Sequence, residues 1–260
     1  MQFNSKLIAS GFLANCVTLN ANADLTNYLS SETELVYSSI SNLTWTADAN
    51  LFGTLAETLG FDNLVGSIIT ISPTINNIPN YHDINTGNYK ITPNDYNRIS
   101  PGLMTWFGAK AFISYLNQIN YGNSSRWSLP DIGLNPILGF QKNSQFGELF
   151  YQELGGSGVA PAVISNNFYN PQLSAYWFNN EPGKTLALPY SYTPENAWFF
   201  DFYSGWQGGI DKGAFSYAWA VTPNQINEVP LPNSLWPIGT AYFVLLNKKH
   251  RDKTTILNEL

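Results

Sequence analysis

Charge is what this chain has least of: 12% of its 260 residues are Asp, Glu, Lys or Arg, where about a quarter is usual. That excludes a charge-rich disordered chain, and the 44% hydrophobic share is enough for a sizeable core. Positive charge is the scarcer sign. Between Asp24 and Pro230 there are 7 Lys/Arg against 16 Asp/Glu, a difference of −9 within a total of −6. Nucleic acid is therefore not an expected partner, because phosphate binding demands a positive field. Cys16 is the only cysteine and falls in a segment expected to be removed, which takes disulfides, thiolate zinc sites and cysteine nucleophiles out of the mature chain. Of the two histidines, only His82 lies between the two ends, in a Pro/Asn/Tyr loop with no partner motif. It reads as a surface loop residue, not as the base of a triad or as a metal ligand.

Aromatic residues are plentiful, and they are densest in Ala197–Pro223. Period-two alternation places Trp198, Phe200 and Phe202 on one face of a strand and Phe199, Asp201 and Tyr203 on the other. A second alternating run places Phe215, Tyr217, Trp219 and Val221 opposite Ala214, Ser216, Ala218 and Ala220. The glycine-rich stretch Gln207–Gly213 between them predicts the turn of a hairpin.

Residues 1–23 have Lys6, an apolar run Leu7–Leu19 and a small-x-small Ala21-Asn22-Ala23, the layout of a secretory signal peptide; an amphipathic N-terminal helix is the alternative. Thr33–Ser39 and Ser41–Ala47 predict an opening pair of strands. Residues 60–101, rich in Pro, Asn and Thr, predict a long decorated loop with a short strand at Gly66–Ser72. Over Gly102–Asn120 the apolar residues Trp106, Ala109, Phe112, Ile113, Leu116 and Ile119 recur at helical spacing, with Thr105 as N-cap. Ser144–Leu154 repeats that pattern more briefly.

Ordered landmarks then carry a resemblance. Asn42-Leu43-Thr44-Trp45, Ala47-Asp48-Ala49-Asn50, Gly102-Leu103-Met104-Thr105-Trp106, Trp127-Ser128-Leu129-Pro130, Gly147-Glu148-Leu149-Phe150-Tyr151, Tyr176-Trp177, Ala197-Trp198-Phe199-Phe200-Asp201-Phe202 and Ala218-Trp219-Ala220-Val221 follow one another as in the bacterial Lcl C-terminal-like domain family, which this chain resembles. Ser128 stands where that family usually has arginine, and Thr222 where it usually has arginine before proline. The resemblance implies an α+β, C-type-lectin-like fold for residues 24–228: two helices beside antiparallel sheets, with long irregular loops. In residues 229–260, Val229-Pro230-Leu231-Pro232 precedes the apolar run Leu235–Leu246 and the basic Lys248-Lys249-His250-Arg251. This resembles a PEP-CTERM sorting signal, which implies processing by an exosortase, transient inner-membrane association and a secreted or envelope location in a Gram-negative bacterium. The apolar run of about 12 residues is short for a bilayer, so a final core strand with a solvated basic tail is the alternative.

No enzyme is expected. Glu181, Asp201 and Asp211 flank the expected hairpin and are oxygen ligands of the kind calcium takes, a cofactor held open as a possibility beside ordinary turn-forming carboxylates. Tyr190, Tyr192, Tyr203, Trp206, Gln207 and Asn179 fall near expected loop ends as an aromatic and amide surface for a glycan or exopolysaccharide. A scaffold or protein-binding module without a sugar site and a carboxylate-based hydrolase are the competing expectations.

Overall fold

The computed structural model describes residues 25–158, 167–182 and 193–226. The signal-peptide and sorting-tail expectations, and Tyr190 and Tyr192, lie outside these residues. An antiparallel sheet opens the chain with β1 (Leu25–Ser30), β2 (Thr33–Ser38) and β3 (Leu43–Thr46). β2 and β3 are the expected opening pair; β1 extends the sheet by one strand on its outer side. Its other edge is closed by β9 (Val221–Pro223), which pairs Val221 with Trp45.

Two helices follow, the second of them inside the 60–101 stretch expected to be a decorated loop. α1 (Leu51–Leu59) and α2 (Phe61–Ile71) are separated by Gly60, whose φ of 86° breaks the first helix before the second begins. Leu64, Val65 and Ile68 of α2 are buried. Their i, i+1, i+4 spacing is one helical face, although the β-branched content of Gly66–Ser72 suggests a strand. The remainder of the expected loop holds the short hairpin of β4 (Thr74–Asn76) and β5 (Asn88–Lys90).

The expected central helix forms as α3 (Trp106–Gln118), and Thr105 caps it: its Oγ1 accepts from the Gly108 amide at 3.1 Å and donates to Asp95 at 2.7 Å. The brief second helix also forms. α4 (Gln145–Glu148), capped by the Ser144 hydroxyl, runs into a π-helical turn over Leu149–Glu153. No helix among the described residues is long and apolar enough to cross a membrane.

A three-stranded sheet of β6 (Ala175–Trp177), β7 (Asn196–Asp201) and β8 (Trp206–Asp211) forms the middle layer. A hairpin forms here, but not the expected one: β7 pairs with β8 through a turn at Phe202–Gly205, and Ala214–Ala220 is not its partner. Gln207–Asp211, expected to turn the chain, is strand, and the run Ala214–Ala220 crosses to other neighbours through Ser216 to Met104 and Tyr217 to Tyr176. Gly205, at φ 79°, supplies the left-handed residue the turn requires. The glycines expected to turn therefore lie in a strand, for a reason that becomes visible at Trp206.

Alternation along this sheet separates two hydrophobic clusters. Trp177, Ala197 and partly buried Phe199 and Ile210 pack with α1, α2 and α3, while Tyr176, Phe178, Trp198, Phe200 and Phe202 pack with α4, the π turn and Trp45. Phe146 is the hub of the second cluster. It is wholly buried, with its ring against Trp45, Tyr176, Phe178, Phe200, Phe202 and Trp219 at centroid distances of 5.1–6.4 Å. The described residues thus form a mixed α+β fold with three antiparallel sheets. Phe146→Ala should destabilise it by about 3–5 kcal/mol, whereas Tyr203→Ala, at a residue 63% exposed, should change it by no more than ~0.5 kcal/mol. Urea unfolding of both variants checks the contrast.

Candidate functional site

On β7 and β8 the residues directly opposite share a face, so Asp201 stands beside Trp206, and Phe199 beside Gly208. Trp206 and Gly208 are two residues apart on the same face. A Cβ at Gly208 would lie 2.1 Å from the six-membered ring of Trp206, so the indole is folded down over the glycine and can be so only because no side chain is there. Phe199 meets the same ring at 5.6 Å. Trp206 is left half-buried at the turn end of the hairpin, an aromatic plate fixed from below.

The carboxylate of Asp201 builds the turn beside it, accepting from the Tyr203 amide at 3.1 Å and from the Ser204 hydroxyl at 2.5 Å, while its carbonyl accepts from the Gly205 amide at 2.7 Å. The Tyr151 hydroxyl donates to the Gly205 carbonyl at 2.7 Å and ties the π turn to the hairpin. Tyr203 is exposed at the tip. Gln207 points the opposite way from Trp206, into the protein, and is 1% exposed. Its side-chain amide donates to the Ile137 carbonyl at 2.8 Å, and its backbone exchanges two 3.0 Å hydrogen bonds with Gly139. Gln207 thus holds a loop instead of facing a ligand, a correction that follows from the period-two alternation of a strand. The loop it holds presents exposed Leu134, Ile137 and Phe140.

The other sequence candidates gather elsewhere. Asn179 accepts a hydrogen bond from the Lys110 ammonium, and Glu181 accepts from the Ile78 amide at 2.8 Å and lies 3.5 Å from Lys212. Asp211 accepts from the Tyr81 hydroxyl, from the Gly213 amide at 2.7 Å and meets His82 Nε2 at 2.9 Å. The bond to Asp211 is the main cause that pushes the Tyr81 phenol up to about 12. His82 has a partner after all, 129 residues away in sequence and therefore invisible as a local motif.

The proposed calcium set does not assemble. Asp201 pairs with Trp206 at one end of the hairpin and Asp211 with Asn196 at the other, a separation of about 17 Å for five strand residues. Each of the three carboxylates is engaged by donors of its own, and among the described residues no group of three His, Cys, Asp or Glu side chains is placed to hold a metal ion. The triplet does not fit calcium. No family model, curated protein or solved structure matches this chain.

A carboxyl that sequence reasoning missed is Glu153, at the end of the π turn and half-buried. Burial is the main cause that raises it from 4.5 to about 7; the nearby Ser38 hydroxyl opposes this and the Glu148 charge adds to it. The stability this residue gives is fully present below pH 4.5, where it is neutral in both states, and is lost as pH rises through about 7. Glu153→Gln should flatten the decline and, with solvent screening allowed for, raise stability at pH 8 by about 1 kcal/mol. Urea midpoints measured from pH 4 to pH 8 test this; a parallel decline in wild type and variant would contradict it.

Proposed function

We propose that this chain is an exported, non-enzymatic domain of C-type-lectin-like α+β fold, akin to the Lcl C-terminal-like domains, that binds a glycan or exopolysaccharide at the turn end of the β7–β8 hairpin. The observation that carries the reading is the placement of Trp206. An indole whose six-membered ring occupies the space over Gly208, with Phe199 against it, costs little further ordering when a sugar ring stacks on it, and the Asp201 carboxylate opposite it and the Tyr203 phenol at the exposed tip are hydrogen-bonding groups for hydroxyls. The scattered carboxylates argue for binding without calcium. Export, exosortase processing and an envelope location rest on residues 1–23 and 229–260 of the sequence.

A second reading has its own observation. The exposed Leu134, Ile137 and Phe140, on the loop fastened by Gln207, suit a protein-binding scaffold whose docking face adjoins the same hairpin.

A glycan array probed with the full chain, with calcium and with chelator, separates the two. Binding unaffected by chelation and weakened roughly 3–10-fold by Trp206→Ala is expected, since one aromatic contact is worth about 0.5–1.5 kcal/mol. Gly208→Ala should do the same by lifting the indole off the strand. An array without signal in either condition, or Trp206→Ala binding as tightly as wild type, would sink the glycan reading.

A further inference from the structure

At the far end of the hairpin, one residue past β8, Lys212 is fully buried. Its backbone is fastened on both sides, the amide donating to Glu195 at 2.7 Å and the carbonyl accepting from Trp106 at 2.9 Å. The ammonium nitrogen lies 5.2 Å from the Trp106 ring centroid and 5.8 Å from that of Phe107. Two polar side chains meet it: Asn77 Oδ1 at 3.3 Å and Glu181 Oε2 at 3.5 Å. Burial is the main cause that lowers the pKa of this amine, with Glu181 opposing.

The amide of Asn77 is held from its other sides as well. Its Nδ2 donates to Asp83 Oδ2 at 2.9 Å, and its Oδ1 accepts from Asn80 Nδ2 at 2.5 Å. Asp83 is itself fixed by the backbone amides of Asn80 and Thr86 at 3.1 and 3.0 Å. A desolvated amine, a carboxamide with a donor on its oxygen and an acceptor on its nitrogen, and a carboxylate against the amine are the groups an acyl transfer needs.

We propose that Lys212 and Asn77 condense to an intramolecular isopeptide bond, with Glu181 as the proton acceptor. Glu181 takes a proton from the Lys212 ammonium, and the freed Nζ lone pair attacks Asn77 Cγ. The charge that develops on Oδ1 is met by Asn80 Nδ2. The Cγ–Nδ2 bond then breaks, Nδ2 is steadied by Asp83, and the protons shed by Nζ leave with it. An ammonium side chain and a carboxamide become a secondary amide and an ammonium ion, with no oxidant or co-reactant. The product also removes a cost of the starting arrangement. A fully buried ammonium whose nearest carboxylate is 3.5 Å away keeps a desolvation cost, whereas a neutral amide in the same place carries no charge. The bond would close a loop of 135 residues, giving a chain whose only cysteine is Cys16 a covalent brace that a disulfide cannot supply.

Peptide mapping of the purified full-length protein by mass spectrometry tests this without any variant. A branched peptide carrying Asn77 and Lys212 together, about 17 Da lighter than its two arms for the lost ammonia and resistant to trypsin at Lys212, is the expected result. Finding only linear peptides, with an intact Asn77 carboxamide and cleavage after Lys212, would overturn the proposal. Glu181→Gln should yield linear peptides from protein that keeps its near-ultraviolet circular dichroism; branching as complete as in wild type would refute the role given to Glu181.

Discussion

A fully buried ammonium constrains everything around it, because a charge removed from water must find its compensation inside the protein. At Lys212 the compensation comes from sequence-distant segments: Asn77 from the loop after β4, Glu181 from the segment after β6, and the ring faces of Trp106 and Phe107 at the start of α3. The backbone of Lys212 also receives the first amide of α3. The helix, the loop over residues 77–87 and the hairpin are therefore positioned by a single side chain and its neighbours. Asp211, one residue earlier, reaches Tyr81 and His82 and fastens the same loop a second time.

Elsewhere the low charge of the chain is matched by a different way of securing loops. Uncharged side chains bond to backbone: Asn97 accepts from the amides of Ile99 and Ser100, Asn117 accepts from the Trp127 amide at 2.6 Å, and Gln207 reaches Ile137. Three of the buried indoles are anchored likewise, Trp106 to the Phe178 carbonyl, Trp177 to Met104 and Trp219 to Thr46, each at 2.9 Å. Such bonds let large rings lie between sheet and helices without leaving their N–H groups unpaired.

Where neighbours in sequence decide the structure, the sequence is readable. Thr105 and Ser144 mark the starts of α3 and α4, and the alternation Trp198, Phe200, Phe202 identifies the face of β7 that packs with α4 and the π turn. Distant contacts defeat that reading. α2 shows strand-forming residues whose helical state is set by packing of Leu64, Val65 and Ile68, and tertiary context overrides propensity there. Glycines 208 and 209 suggest a turn because glycine commonly supplies one. At Gly208 the missing Cβ serves the Trp206 ring instead. The site is less legible than the fold: Trp206 and Tyr203 lie at the turn end of the hairpin, Gln207 faces inward, and Asn179, Glu181 and Asp211 belong to the opposite end.

The two ends of one hairpin have thus acquired opposite character from the same six-residue strands. At the turn end, the pairing of Asp201 with Trp206 leaves a half-buried carboxylate and indole in reach of water. At the other end, the pairing of Asn196 with Asp211 brings the chain beneath the loop over residues 77–87, and the next residue, Lys212, is cut off from solvent. Water access makes the difference: the half-buried Asp201 carboxylate at the turn still reaches solvent, whereas burial lowers the pKa of the Lys212 amine held against a carboxamide. The turn end is thus polar and open to water and the base of the hairpin is dry, with Phe199 and Gly208 spacing the two along the strands.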